Sequence, residues 1–130
     1  MILIDTSAWI EFLRGTGSPV CERVDELLGG RIATCDAVRM EVLAGARDDE
    51  HLQQLRRLLA RATLLPTESI DFDTAAMIYR RGRSQGKTIR KLIDCLIAAV
   101  AVRAKATLLH MDQDFTAIAA VTELRIDGGG

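Results

Sequence analysis

Ten of the eleven residues in the stretch 92–102 are apolar, and the exception is an aspartate, Asp94. A segment that is apolar all round is a helix buried inside a domain, since it is far shorter than the roughly 18 residues a membrane span needs. Such a helix has to be covered by other layers, and the rest of the chain supplies them as short aliphatic runs alternating with longer helical patterns. Strands are expected at Ile2–Ile4 and at residues 32–34, 64–65, 107–110 and 121–126. Helices are expected after Asp5, from Pro19 to Leu28, over 37–46 with Asp36 as N-cap, over 48–62, over 71–82, and at the buried stretch itself. A polar, basic loop is expected at 83–87, and a loop with one helical turn at 112–118. This alternation predicts an α/β fold with a mainly parallel central sheet of about five short strands. In such sheets, sites lie beyond the carboxyl ends of the strands.

No repeat and no second-domain linker interrupts the pattern, so residues 1–127 read as a single domain and residues 128–130 as a glycine tail, expected to be disordered. At 130 residues the chain is long enough to build a core without disulfides or a structural metal. Only 4% of residues are aromatic, which argues against a base-stacking platform. The 17 basic residues nearly balance the 18 acidic ones, so any contact with nucleic acid has to come from a local patch. Cys21, Cys35 and Cys95, odd in number and set in apolar patterns, read as reduced thiols and predict a cytoplasmic location. The opening residues lack a charged leader, so neither a signal peptide nor a membrane anchor is expected.

Most acids sit on polar helix faces, where solvation explains them. Four do not. Asp5 ends the first strand, Asp112 follows the strand near 107–110, Glu41 lies among Val38, Met40, Val42 and Leu43, and Asp94 is the lone polar residue of its helix. A carboxylate at an apolar margin must be protonated, paired with a base or bound to a cation. Pairing with arginine is the bland alternative, and Arg39 and Arg90 are near enough in sequence to serve Glu41 and Asp94. Adjacent strand ends would, however, bring Asp5 and Asp112 together, and two carboxylates ~4 Å apart repel by about 4 kcal/mol at an effective dielectric near 20. Hard divalent cations resolve that repulsion: Mg²⁺ or Mn²⁺ binds a few carboxylates and completes its shell with water and phosphate oxygens. Phosphodiester hydrolysis is the implied chemistry. Ser7 reads as a helix cap rather than a nucleophile, since neither His51 nor His110 is placed to act as its base. The basic residues Arg80, Arg81, Arg83, Lys87, Arg90 and Lys91 precede the buried helix and form a candidate track for the RNA backbone, with a solvated helix end as the plain alternative.

Four segments carry these acids: I-D-T-S at residues 4–7, R-M-E-V-L-A-G at 39–45, D-C-L-I-A-A-V-A at 94–101 and L-H-M-D-Q-D-F at 109–115. Together, over nearly the whole chain, they resemble the PIN-domain ribonucleases, specifically the VapC-type toxins of toxin-antitoxin pairs. The resemblance implies a three-layer α/β/α fold and an endoribonuclease using Mg²⁺, with Mn²⁺ as a substitute. By position, Asp5, Glu41, Asp94 and Asp112 match the family's metal-binding acids, Asp114 matches a further acid, and Thr6 or Ser7 matches the small hydroxyl beside the first. It also implies a homodimer and a cognate antitoxin lying across apolar helices, for which Trp9, Ile10, Phe12 and Leu13 are candidates. Three other readings compete: a non-catalytic acidic pocket that captures a partner's arginine, a phosphoryl-receiver domain, and a DNA-directed nuclease. The middle strands end in Thr34 and Leu65, not in a phosphoacceptor aspartate, which counts against the receiver.

Overall fold

The computed structural model describes residues 1–128; of the tail expected to be disordered at 128–130, residues 129 and 130 lie outside the described residues. In chain order the elements are β1 (Ile2–Ile4), α1 (Thr6–Leu13), α2 (Pro19–Leu27), β2 (Ile32–Cys35), α3 (Asp36–Ala44), α4 (Asp49–Leu59), β3 (Thr63–Leu65), α5 (Ser69–Ser84), α6 (Leu92–Ala104), β4 (Thr107–Leu109), α7 (Gln113–Val121) and β5 (Arg125–Ile126). The strands form one sheet in the order β3-β2-β1-β4-β5, and every pairing is parallel. Crossovers between parallel strands are right-handed as a rule, which puts α1 to α4, from β1 out to β3, on one face. The return to β4 and β5 places α5 to α7 on the other, giving three layers. The chain reverses its direction of travel between β1 and β4, where Ile4 lies beside Leu109. That reversal is the crevice where sites form in open α/β sheets.

The buried helix behaves as its composition demands. Cys95, Ile97, Ala98, Ala99, Val100 and Ala101 of α6 are all closed to solvent. Trp9 is wholly buried as well, which makes it core, whereas Ile10 and Leu13 on the same helix are exposed and Phe12 is half-buried.

Several boundaries differ from the sequence reading. A nine-residue helix, α7, takes the place of the single turn expected at 112–118, and only Arg125 and Ile126 remain of the strand expected at 121–126. Phe115, Ile118 and Val121 recur at helical spacing and are all buried, so tertiary packing overrides the strand preference of Val121. Asp36 is the first residue of α3 and not its cap, because Cys35 at the N-cap already ends β2. α5 starts at Ser69, where Glu68 and Asp71 form a reciprocal capping box, and it runs on to Ser84 through part of the expected loop. The segment after it folds back tightly: Lys87 N–H donates to Gly82 O, and a Cβ on Gly82 would stand 2.6 Å from Ile89 Cδ1.

Candidate active site

β1 and β4 deliver two acids to one end of the sheet. Asp5 N–H donates to Leu109 O (2.9 Å), tying the residue after β1 to the last residue of β4. Asp5, rather than Ser7, is the N-cap of α1: its Oδ2 accepts from Ser7 N–H (2.9 Å) and from the Ser7 hydroxyl. Ser7 Oγ in turn accepts from Met111 N–H (2.9 Å), so the serine is a clip between the two strand ends. Thr6 donates to Glu41 Oε1 (2.8 Å), bringing α3 into the group. The small hydroxyls therefore hold two of the acids in place.

α6 and the start of α7 add the rest. Asp94, Asp112 and Asp114 each offer an oxygen, all within 4.8 Å of one another. Asp112 caps α7, its Oδ1 accepting from Asp114 N–H (2.9 Å). Asp112 N–H donates to His110 Nδ1 (3.1 Å), and the His110 ring packs on Phe115, so His110 supports the turn. Asp114 is the most heavily committed acid. Its Oδ1 accepts from the backbone N–H and Nε of Arg90, and its Oδ2 from Lys91 N–H, which pins the segment leading into α6.

Burial and charge act unevenly on these groups. Burial, with Asp114 as hydrogen-bond partner and the charges of Asp5 and Asp112 nearby, pushes Asp94 up to about 8 despite Lys91. Burial likewise raises Asp5 against its bonds to Ser7, and the Glu41 charge adds to the rise. Asp114 is buried and Asp112 half-buried, yet the N–H groups and cations around them outweigh that cost and hold both below the usual carboxylate range. Acids with opposed shifts so close together mark a functional site.

A divalent cation fits this arrangement on two observations. The donor set is oxygen only, as Mg²⁺ and Mn²⁺ require. Moreover, Asp94 Oδ2 and Asp5 Oδ1 are buried with no hydrogen-bond partner, which is costly unless something else takes those lone pairs.

The basic run does not act as one track. Arg90 and Lys91 turn onto the acids: Arg90 reaches Asp112 (2.9 Å) and Asp114 (3.2 Å), and Lys91 reaches Asp112 (3.1 Å) and Asp94 (3.7 Å). The neighbour of Asp94 is thus Lys91 and not Arg90, and among the described residues Glu41 forms no ion pair with Arg39. Arg81 donates to Val121 O and Arg83 lies over the Tyr79 ring, while Arg80, Arg83 and Lys87 are exposed. The sequence reading did not single out Asp71, which is 1% exposed and held by Arg103 through its Nε (2.9 Å) and NH2 (3.0 Å). The available signal was an acid three residues into a helix and a basic residue ending the apolar one.

The PIN domain family matches residues 2–121. Ribonuclease VapC11 of Mycobacterium tuberculosis is 47% identical over 129 residues, covering 96% of each chain. Among solved structures, VapBC-1 from nontypeable Haemophilus influenzae superposes with a TM-score of 0.78 at 21% identity, covering 99% of this chain and 98% of that one. VapBC-5 of Mycobacterium tuberculosis, a member of the VapBC family of toxin-antitoxin systems, gives 0.64 at 24% identity, covering 95% and 94%. With a family match across almost its full length and a relative sharing nearly half its residues, this chain belongs to the PIN domain family and, within it, to the VapC group.

Proposed function

We propose that this protein is a metal-dependent endoribonuclease, the toxin of a toxin-antitoxin pair, with residues 1–127 acting as one domain. The observation that carries the reading is the pair of buried oxygens on Asp94 and Asp5 that lack a hydrogen-bond partner, beside Asp112. Asp5, Asp94 and Asp112 would hold Mg²⁺, for which Mn²⁺ can substitute, and Asp114 would complete the set with its remaining lone pair. The ion's chemistry, when bound, is to make water nucleophilic and to offset charge on the phosphoryl oxygens. Glu41, the fourth catalytic acid, is half-buried and oriented through Oε1 by Thr6, which leaves Oε2 to accept the proton of the attacking water. Ser7 and Thr6 keep the acids in place. Arg80, Arg81, Arg83 and Lys87 would track the RNA backbone, and Arg90 and Lys91 would meet phosphate nearest the acids.

A groove of about 590 Å³ includes Glu41 and is lined by the apolar Ile10, Leu13, Val42 and Leu55 together with the polar Arg14, Arg47, His51 and Gln54. It is where an apolar antitoxin segment would lie, with a basic side chain reaching the acids. Antitoxin binding and a homodimer are the assemblies proposed, in the cytoplasm; among the described residues no helix is long and apolar enough to cross a membrane.

The deciding experiment is cleavage of total cellular RNA by purified, antitoxin-free protein with Mg²⁺ or Mn²⁺. Discrete products that vanish with EDTA and in Asp94→Asn are expected. Undiminished cleavage by folded Asp5→Asn and Asp94→Asn proteins would overturn the site, whereas no cleavage with metal binding retained would favour a pocket that only captures a partner.

A further inference from the structure

The acids of this site already have a cation among them. Lys91 Nζ lies 3.1 Å from Asp112 Oδ2 and 3.7 Å from Asp94 Oδ2, so one ammonium stands between two of the clustered acids. Asp94 Oδ2 has no hydrogen-bond partner, and the ion pair with this ammonium is the one it makes among the described residues. Arg90 plays a different part, since it binds the Oδ1 atoms of Asp112 and Asp114 and leaves the Oδ2 side to Lys91.

The build of Lys91 suits a movable charge. Its backbone is fixed as the N-cap residue of α6, with the N–H held by Asp114 Oδ2 (3.0 Å). Its side chain is half exposed, at 51%, and ends a flexible four-carbon stem. An ammonium so exposed pays little to leave its partners. A divalent ion on the same oxygens would face it at a few ångströms, where like charges repel. Both cannot keep the place.

We propose that Lys91 is the resident counter-cation of this site, displaced when the divalent ion enters and thereafter free to pair with RNA phosphate at the mouth of the pocket. The inference rests on the metal-dependent reading above. It makes the two ligands cooperative, because metal entry releases the cation that the phosphate needs, and linkage requires the effect to run both ways. The cost to the metal is the loss of the half-exposed ion pairing of Lys91, a factor of about two to five in affinity.

Calorimetric titration of Mn²⁺ into the metal-free full chain tests this. Lys91→Met should bind Mn²⁺ about two- to fivefold more tightly than the parent. Lys105→Met removes the same charge from the far end of α6, roughly 20 Å away, and should leave the affinity unchanged. If Lys91→Met binds equally or more weakly while Asp94→Asn loses Mn²⁺, Lys91 is no counter-cation and the metal site stands. If Asp94→Asn keeps full Mn²⁺ affinity, the metal reading itself falls, and this inference with it. Anisotropy of a labelled, uncleavable 2′-O-methyl RNA supplies the second readout: Mn²⁺ should raise its affinity more in the parent than in Lys91→Met. Equal gains in the two proteins would overturn the released-cation role.

Discussion

Asp71 and Asp94 show how one residue type is put to opposite uses. Both are buried, and burial works against the charge of each. Around Asp71, the Arg103 guanidinium and the Glu68 N–H outweigh burial and hold the carboxyl below the usual range; around Asp94, three other acids leave burial the winner. A lowered folded-state value stabilises the protein above the ordinary carboxylate range near pH 4, and that contribution disappears as pH falls through the folded value. Asp71→Asn is therefore expected to lose about 1.5 kcal/mol at neutral pH, the value of a hydrogen bond to a charged group, since Arg103 is partly exposed and keeps Glu68 as a partner. Denaturant unfolding should show the gap between the two proteins closing as the buffer is acidified. A gap of constant size would mean that Arg103 does not hold a charged Asp71. The sequence makes Asp94 visible because no polar neighbour competes for attention, but it hides Asp71, whose partner is 32 positions away. Asp5 and Ser7 were legible as a pair, while their roles were exchanged, since which side chain caps a helix depends on backbone angles that spacing does not reveal.

At the scale of elements, periodicity located α1 to α6 and the strands of the sheet, and it failed at α7, where packing decides the outcome. Nothing local marks Val121 as helical; burial of Phe115 and Ile118 beside it does. In the same way, the basic run reads as a phosphate track because Asp112 and Asp114, which claim Arg90 and Lys91, stand more than twenty positions later. The end of α6 offers a test of a local rule. Lys105 closes this helix in the left-handed region, at φ 57°, with Ala106 N–H reaching back to Ala101 O. Glycine adopts that conformation without the steric cost a side chain meets. Lys105→Gly is expected to stabilise the fold by about 0.5–1 kcal/mol, after allowing for the freer unfolded chain. Calorimetry should record this as a rise of about 3 °C in Tm. A lower Tm would show that contacts of the Lys105 side chain matter more than its backbone.

The whole molecule carries a net charge of −1, so RNA cannot be drawn to it by overall field. The exposed Arg80 and Arg83 have to supply that attraction locally. Replacing both with alanine should weaken RNA binding and flatten the plot of log affinity against log salt by about 1 to 2, the value for two lost phosphate contacts on a single strand. An unaltered slope would return this patch to the status of a solvated helix end. The order of the strands has a further effect, which is one of timing. β1 is the first element made, yet its partner β4 and the acids Asp112 and Asp114 are among the last, and Met111 N–H closes on Ser7 across 104 positions. A ribosome that has finished four fifths of the chain has made Asp5, Glu41 and Asp94 but none of the acids beyond β4. The cluster is therefore completed late in synthesis: it cannot form until β4, Asp112 and Asp114 have been made.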